Sequence, residues 1–285
     1  MLTSTFQHMQ GIGEVTERLI WDRGILCWED FQTPLKNRLG ARTRAMVDSA
    51  MNESYRALAR GDAYFFSRAL PQRLRWRLFP EFSGNAAFLD IETTGLNRAY
   101  DSITTIALYD GRAVKWYVQG QNLKDFPCDI QRYTTLITYN GARFDLPFIE
   151  RFFNIRLNKA HIDLCFVLRA LGFRGGLKRC EQILGIERPG MADIDGYTAV
   201  LLWHDYTRNN NQRALETLLA YNICDAVNLA ALTAIAYNKA VSRTPFAAMQ
   251  LSAPELPALP FSVDRKTVER LQRSCMAGYN HAVSR

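Results

Sequence analysis

The stretch Ala86-Ala-Phe-Leu-Asp-Ile-Glu-Thr-Thr-Gly-Leu96 decides the fold. Ala86 to Ile91 is a short apolar run carrying an acid, a pattern that suits a central strand. Asp90 and Glu92 lie two residues apart, so on a strand both side chains leave the same face. Two like charges at the end of an apolar strand are costly unless a cation neutralises them. Hard divalent ions that take oxygen ligands, such as Mg²⁺ or Mn²⁺, meet that need. A solvent-exposed turn would also show an acid at each of two alternate positions. The apolar run before the pair and the Thr-Thr-Gly after it favour the metal reading.

Working outward, Ile103 to Tyr109 and Ala113 to Val118 read as two further strands, joined by the hairpin dipeptide Asp110-Gly111. Thr135 to Tyr139 reads as a fourth strand that ends at Asn140-Gly141. A helix follows over Leu146 to Phe153, with Pro147 in its first turn, where proline is tolerated. Residues 212–237 show the clearest helical period, with Leu215, Leu218, Leu219, Ile223, Ala226, Val227 and Ala230 on one stripe. A hairpin followed by strand–helix units predicts an α/β fold, a mixed sheet flanked by helices. The expected division is a small helical module at 1–35, a helical basic connector at 36–83 and the α/β domain at 84–240. A proline-containing tail at 241–285 ends in a basic helix around Val263 to Met276.

A chain of 285 residues can bury one substantial core and carry one or two small appendages. With 48% hydrophobic and 22% charged residues it is an ordered globular sequence and not a disordered one. Lys and Arg number 35 against 28 Asp and Glu, a formal charge of +7. Arg42 and Arg44, then Arg73, Arg75 and Arg77, concentrate part of it. Such a surface favours polyanions, nucleic acid above all, although a merely solvated basic face has the same composition. Cys27, Cys128, Cys165, Cys180, Cys224 and Cys275 form no CxxC pair, and His8, His161, His204 and His281 are dispersed, which argues against zinc and disulfides. The start shows no basic segment leading into an apolar one, and no run of membrane-spanning length stands out. The expectation is a cytoplasmic protein without a membrane partner.

Two more acidic residues stand in structured contexts. In Tyr139-Asn-Gly-Ala-Arg-Phe-Asp145 the aspartate sits where a loop enters a helix, a position that a helix cap would equally explain. In Tyr221-Asn-Ile-Cys-Asp225 the tyrosine and aspartate are one helical turn apart and share a face. On its own that pair reads as a half-exposed face with a packed ring. Taken in order, the three segments resemble the DxETTGL, NxxxFD and YxxxD motifs of the DEDD (DnaQ-like) 3′→5′ exonuclease superfamily. The match covers roughly residues 86–235 and implies a ribonuclease H-like sheet. Ala220 stands where the histidine subtype carries His, and Tyr221 where the tyrosine subtype carries Tyr, so the chain resembles the DEDDy subtype. Leu177 to Ile186, and Tyr197 through Leu201-Leu-Trp203 to Tyr206, look most like the YprB-type group.

The resemblance implies two divalent cations, Mg²⁺ or Mn²⁺, held by Asp90, Glu92, Asp145 and Asp225, with Tyr221 orienting the attacking water. A phenol of ordinary pKa near 10 is a poor base at neutral pH, so its part is positioning. The resemblance also places Thr93, Thr94 and Leu96 against the terminal nucleotide, and Asn140 and Phe144 against the substrate. Core packing is the other role open to Phe144. Upstream, Met9-Gln-Gly-Ile-Gly13, Thr16 to Trp21, Gly24-Ile25 and Trp28 to Phe31 resemble a helix–hairpin–helix element. In that motif Gly11 and Gly13 would offer backbone N–H groups to a DNA phosphate. A lone hairpin that only packs on its neighbour has the same sequence. The expected function is a metal-dependent 3′→5′ exonuclease, with single-stranded DNA favoured as substrate. The alternatives are a 3′→5′ exoribonuclease and a non-catalytic nucleic-acid-binding subunit that works with a helicase or repair complex.

Overall fold

The computed structural model describes residues 1–283, with side chains through Ser274. Its centre is a five-stranded sheet of order β3-β2-β1-β4-β5. The strands are β1 (Ala86–Thr93), β2 (Ile103–Tyr109), β3 (Val114–Val118), β4 (Thr135–Thr138) and β5 (Ala160–Asp163). β1, β2 and β3 form an antiparallel meander, while β4 and β5 run parallel to β1, so the sheet is mixed. The expected hairpin is present: Asp110 accepts from the backbone N–H groups of Arg112 and Ala113, and Gly111 takes φ +85°. β5 has no counterpart among the strands expected from the sequence. Its four residues, all buried, are too few to show an alternation.

Five helices precede the sheet: α1 (Glu14–Asp22), α2 (Trp28–Phe31), α3 (Ala41–Ala59), α4 (Ala63–Ala69) and α5 (Phe79–Phe82). α6 (Phe126–Asp129) and α7 (Asp145–Phe153) lie between strands, and α8 (Leu164–Leu171), α9 (Leu177–Leu184), α10 (Gly196–Asn209), α11 (Gln212–Val241) and α12 (Arg265–Val283) follow. This is the α/β mixed sheet flanked by helices, with a helical N-terminal region, that the sequence led us to expect.

The two faces of β1 separate cleanly, as period-2 geometry requires. Ala87, Leu89 and Ile91 join the core formed with α6 and α7, including Phe126, Phe148 and Ile149. Ala86 and Phe88 join the larger core on the α11 face, and Asp90 and Glu92 continue along that face. α11 was read as one apolar stripe, but the structure buries it on nearly every side. It is long and apolar enough to cross a membrane by length and composition, which corrects the expectation that no run reaches that size. With 89% of its most apolar window inside the protein, its hydrophobicity is that of a central core helix.

The first 40 residues belong to the same core. Leu2, Phe6, Ile20, Trp28, Phe31 and Leu39 share it with α11. Trp28 is fully buried, with its indole N–H donated to the Thr5 carbonyl at 2.9 Å and rings of His8 and Tyr55 each at 5.4 Å. Glu17, 1% exposed, accepts from the backbone of Phe6 and Gln7, and both of its oxygens accept from Arg77 Nη1, at 2.8 and 2.9 Å. Arg77 is itself 3% exposed and lies over the rings of Trp21 and Trp76. Arg75 donates inward to the carbonyls of Leu70 and His161. Two of the three arginines in the 73–77 run are therefore internal cross-links and not part of a basic surface.

A buried pair of this kind is strongly destabilising when only one partner is removed, by about 3–5 kcal/mol, because the other charge stays buried. Glu17→Gln should lower the free energy of urea unfolding by that order, and Glu17→Gln combined with Arg77→Met should restore part of it. Equal losses in the single and double variants would show that the two residues act independently.

Candidate active site

β1 pairs with β4 only from Ala86 to Phe88, while its pairing with β2 runs on through Glu92 to Thr93. The carboxyl half of β1 therefore has no strand neighbour on the β4 side, which leaves a crevice at the ends of the parallel strands. Asp90 and Glu92 project at that crevice, and α11 crosses the same face. Oxygens of Asp90, Glu92 and Asp225 all lie within 4.8 Å of one another. Asn222, one turn before Asp225, is fully buried and spans helix and sheet. Its amide donates to Asp90 at 2.7 Å, and its carbonyl oxygen accepts from Thr105 of β2 at 2.9 Å. The sequence reading passed over Asn222. The available signal was a polar residue on the apolar side of a helix, which must find partners when buried.

Asp145 comes to the cluster from the opposite face of the sheet. It is the first residue of α7, whose N-cap is Phe144 with no side-chain cap bond, so the alternative role as a helix cap is not the one it plays. It is 5% exposed, and it receives a hydrogen bond from the backbone of Ile91. Its charge is felt at both Asp90 and Glu92, although its oxygens lie outside the tight trio.

The loop that delivers Asp145 is held by Asp163, at the end of β5. Asp163 accepts from the backbone N–H groups of Asn140 at 2.7 Å, Ala142 at 3.0 Å and Cys165 at 3.0 Å. Asn140 takes a left-handed φ of +64°, which asparagine tolerates better than most residues. At Gly141 an added Cβ would fall 2.2 Å from Thr138 Oγ1, so only glycine fits there. Thr138 Oγ1 in turn contacts His161 Nε2 at 2.9 Å. Burial, and then Arg75, push the His161 imidazole down to about 3, so it serves as a neutral core residue.

The electrostatics follow from crowding. Burial, then Asp225, Asp145 and Glu92, push the Asp90 carboxyl well above the usual carboxylate range. Burial and the neighbouring aspartates do the same to Glu92. Burial raises Asp145 to about 7, with Asp163 and Asp225 adding to the rise. Asp225 is raised by burial, against the opposing pull of Arg188, Lys178 and a hydrogen bond from Tyr221.

Two cationic side chains, Lys178 and Arg188, come from the segment after β5. Arg188 ion-pairs with Asp225 and, at 2.7 Å, with the fully buried Glu181 of α9, which Asn228 of α11 also contacts at 3.0 Å. Lys178 lies 4.7 Å from the centre of the Tyr221 ring, and Arg188 5.4 Å from it. Tyr221 is 5% exposed, and burial together with Asp225, Glu92 and Asp90 pushes its phenol far above the ordinary value.

The remaining residues expected at the site are differently placed. Thr93 donates to the Gly95 carbonyl at 2.6 Å, and Thr94 donates to Asp101 at 3.0 Å, so both shape the turn after β1. Leu96 is 84% exposed. Phe144 packs against Phe148 at 5.4 Å, on the α7 side of the core. Gly11 and Gly13 lie away from the cluster: Gly11 packs close to Met46 of α3, and Gly13 caps α1, whose first turn carries Glu14 and Glu17.

Three carboxylates with oxygens within 4.8 Å of one another, a fourth beside them and all pushed toward protonation form a donor set of hard oxygens short of positive charge. That set fits a divalent cation such as Mg²⁺ or Mn²⁺. A family model described as the RNase H superfamily matches residues 87–237, from the second residue of β1 through most of α11. No curated protein and no solved structure matches the chain. The match takes in every strand, all four clustered carboxylates and more than half of the sequence, and the chain belongs to the RNase H superfamily.

Proposed function

We propose that the protein is a 3′→5′ exonuclease of the DEDDy type that hydrolyses phosphodiester bonds with two divalent cations. The observation that carries this reading is the meeting of Asp90, Glu92 and Asp225 oxygens within 4.8 Å, with Asp145 beside them and Tyr221 one turn from Asp225. Superfamily membership supports nuclease chemistry on nucleic acid, and the tyrosine motif supports the exonuclease class. When bound, the cations supply charge neutralisation around the reacting phosphate and make a water more acidic.

The chain's own residues supply position and charge. Asp90, Glu92, Asp145 and Asp225 hold the cations, and Asn222 fixes the Asp90 carboxylate by taking one of its lone pairs. Tyr221 stays protonated in its buried site, so its hydroxyl acts as a donor that orients groups, not as a base. Arg188, neutralised in part by Glu181, holds the rotamer of Asp225. By the motif's resemblance, Thr93, Thr94 and Leu96 meet the terminal nucleotide. DNA remains the favoured substrate over RNA.

With 5′-labelled DNA or RNA, Mg²⁺ or Mn²⁺ should produce a ladder shortened from the 3′ end, and EDTA should abolish it. Asp90→Asn should reduce the rate by at least ~10²-fold, the scale of losing one electrostatic contributor to a transition state. Tyr221→Phe should lower kcat by roughly 10- to 100-fold through misplacement while leaving the metal affinity unchanged. Internal cuts in place of a ladder, or cleavage indifferent to chelation, would overturn the reading.

The carboxylates also set the stability of the metal-free protein. A carboxyl whose folded pKa is raised binds protons better in the folded state. Stability is therefore fully present below the unfolded value and declines as pH rises toward about 7, the value for Asp145. Asp145→Asn should accordingly raise the melting temperature of the metal-free protein at pH 8 while impairing cleavage. Mn²⁺ should stabilise the wild type more at pH 8 than at pH 6, because binding requires deprotonated ligands. A smaller Mn²⁺ shift at pH 8 than at pH 6 would contradict this cluster as the metal site.

A further inference from the structure

Arg188 meets the carboxylate cluster as no other cation does. Among the described residues it makes the one ion pair to any of the four carboxylates, with Nη2 donating to Oδ1 of Asp225. Lys178 lies nearby, but its ammonium donates to the Ile194 carbonyl and sits over the Tyr221 ring. We infer that Arg188 is an exchangeable internal counter-ion. It occupies Asp225 in the metal-free protein and competes with a divalent cation for that carboxylate, so cation uptake takes two steps of unequal affinity. The inference rests on the metal-dependent reading above for the cations, and on the Arg188 contacts for their inequality.

Burial gives the competition its force. The Arg188 side chain is 9% exposed and that of Asp225 7%, so little water screens a second positive charge brought to the same carboxylate. An ionised carboxylate has lone pairs enough for an arginine and a metal together, but an unscreened guanidinium and a divalent ion repel each other. Asp90 is free of this conflict, because what holds it is the neutral amide of Asn222. Of the three oxygens that meet within 4.8 Å, the Asp225 one is the ligand whose use by a cation is opposed by a contact already in place.

The surroundings also let the arginine yield. Glu181 is fully buried, and one of its oxygens accepts from Asn228 at 3.0 Å while the other accepts from Arg188 Nη1 at 2.7 Å. Arg188 Nε is buried and has no hydrogen-bond partner among the described residues. Withdrawal from Asp225 therefore breaks one contact and leaves the guanidinium charge paired with Glu181. The Tyr221 ring, 5.4 Å away, offers that charge an aromatic face. The backbone is less free to follow, since Met191, three residues on, is buried against Ala220 and Cys224 of α11. The exchange is a movement of one side chain.

The test is calorimetric titration of the full chain with Mn²⁺, with bound ions counted by electron paramagnetic resonance. The wild type should show a tight step and a weaker one. Arg188→Met should tighten the weaker step by at least about tenfold, the direction set by removing a positive charge beside the ligand. Arg188→Met/Glu181→Gln removes both buried charges, keeps an acceptor for Asn228, and should give the same result even where the single variant fails to fold. Lys178→Met removes an equal charge that makes no Asp225 contact, and should leave the two steps unequal. Equal steps in the wild type would overturn the inference. So would a weaker step that is unchanged in the Arg188 variants, or loosened by the roughly 10- to 100-fold that losing an outer-shell partner costs. Tightening by Lys178→Met as large as that by Arg188→Met would reduce the effect to net charge and overturn it as well. Mn²⁺ binding indifferent to Asp90→Asn would remove the metal site itself and this inference with it. Two steps that respond to Arg188 as expected, with no shortened nucleic acid in Mn²⁺, would keep the competition and remove the exonuclease reading.

Discussion

Mutual repulsion among buried carboxylates is the constraint around which this fold is arranged. Asp90 and Glu92 share a face of β1 and would separate from Asp225 and Asp145 if their backbones were free to move. They are not free. β1 is paired with β2 from Phe88 to Thr93, and Asn222 ties the Asp90 carboxylate to α11 and, through Thr105, to β2. α11 is buried along almost its entire surface, so Asp225 cannot retreat without taking a core helix with it. Asp163 holds the approach to Asp145 with three backbone N–H groups. The free energy that maintains the like charges comes from packing and backbone hydrogen bonds elsewhere. This is how strained functional clusters are generally sustained.

The compensating charge inside the protein is partial by construction. Arg188 reaches Asp225, but Glu181, itself inaccessible to solvent, takes the other side of the same guanidinium. Lys178 contributes at Glu92 and Asp225 from the face of the Tyr221 ring. One arginine shared with a glutamate and one half-buried lysine fall short of four carboxylates. A fully neutralised cluster would have little use for external cations, and one with no internal cations would be far costlier to fold. The intermediate arrangement keeps the site foldable and still demanding of divalent charge.

Much of this was legible in the sequence because it depended on local periodicity. The i, i+2 spacing of Asp90 and Glu92 fixes their common face once β1 is a strand, and the Tyr221–Asp225 spacing does the same on a helix. The mixed sheet followed from the hairpin dipeptide and the strand–helix order. What escaped depended on contacts distant in sequence. Asn222 gains its meaning from Thr105 and Asp90, 117 and 132 positions away. Arg188 and Lys178 lie in a segment whose local pattern says only helix and loop. β5 is too short to announce itself, yet its last residue secures the second-motif loop. The Arg73 to Arg77 run misled in the opposite direction, since composition counts charges without saying which way they point.

That last point bears on how a basic protein finds nucleic acid. A net charge of +7 gives a general attraction, but specific contact depends on cations that the fold leaves unspent. Arg77 and Arg188 are committed to buried glutamates, and Arg75 to backbone carbonyls. Glu14 and Glu17 occupy the first turn of α1, where they answer the partial positive charge that would otherwise attract a phosphate to Gly11 and Gly13. The amino-terminal region therefore uses its charges mainly to join itself to the core. Arg169 and Arg174 are different: both are exposed, and neither has an ion-pair partner among the described residues.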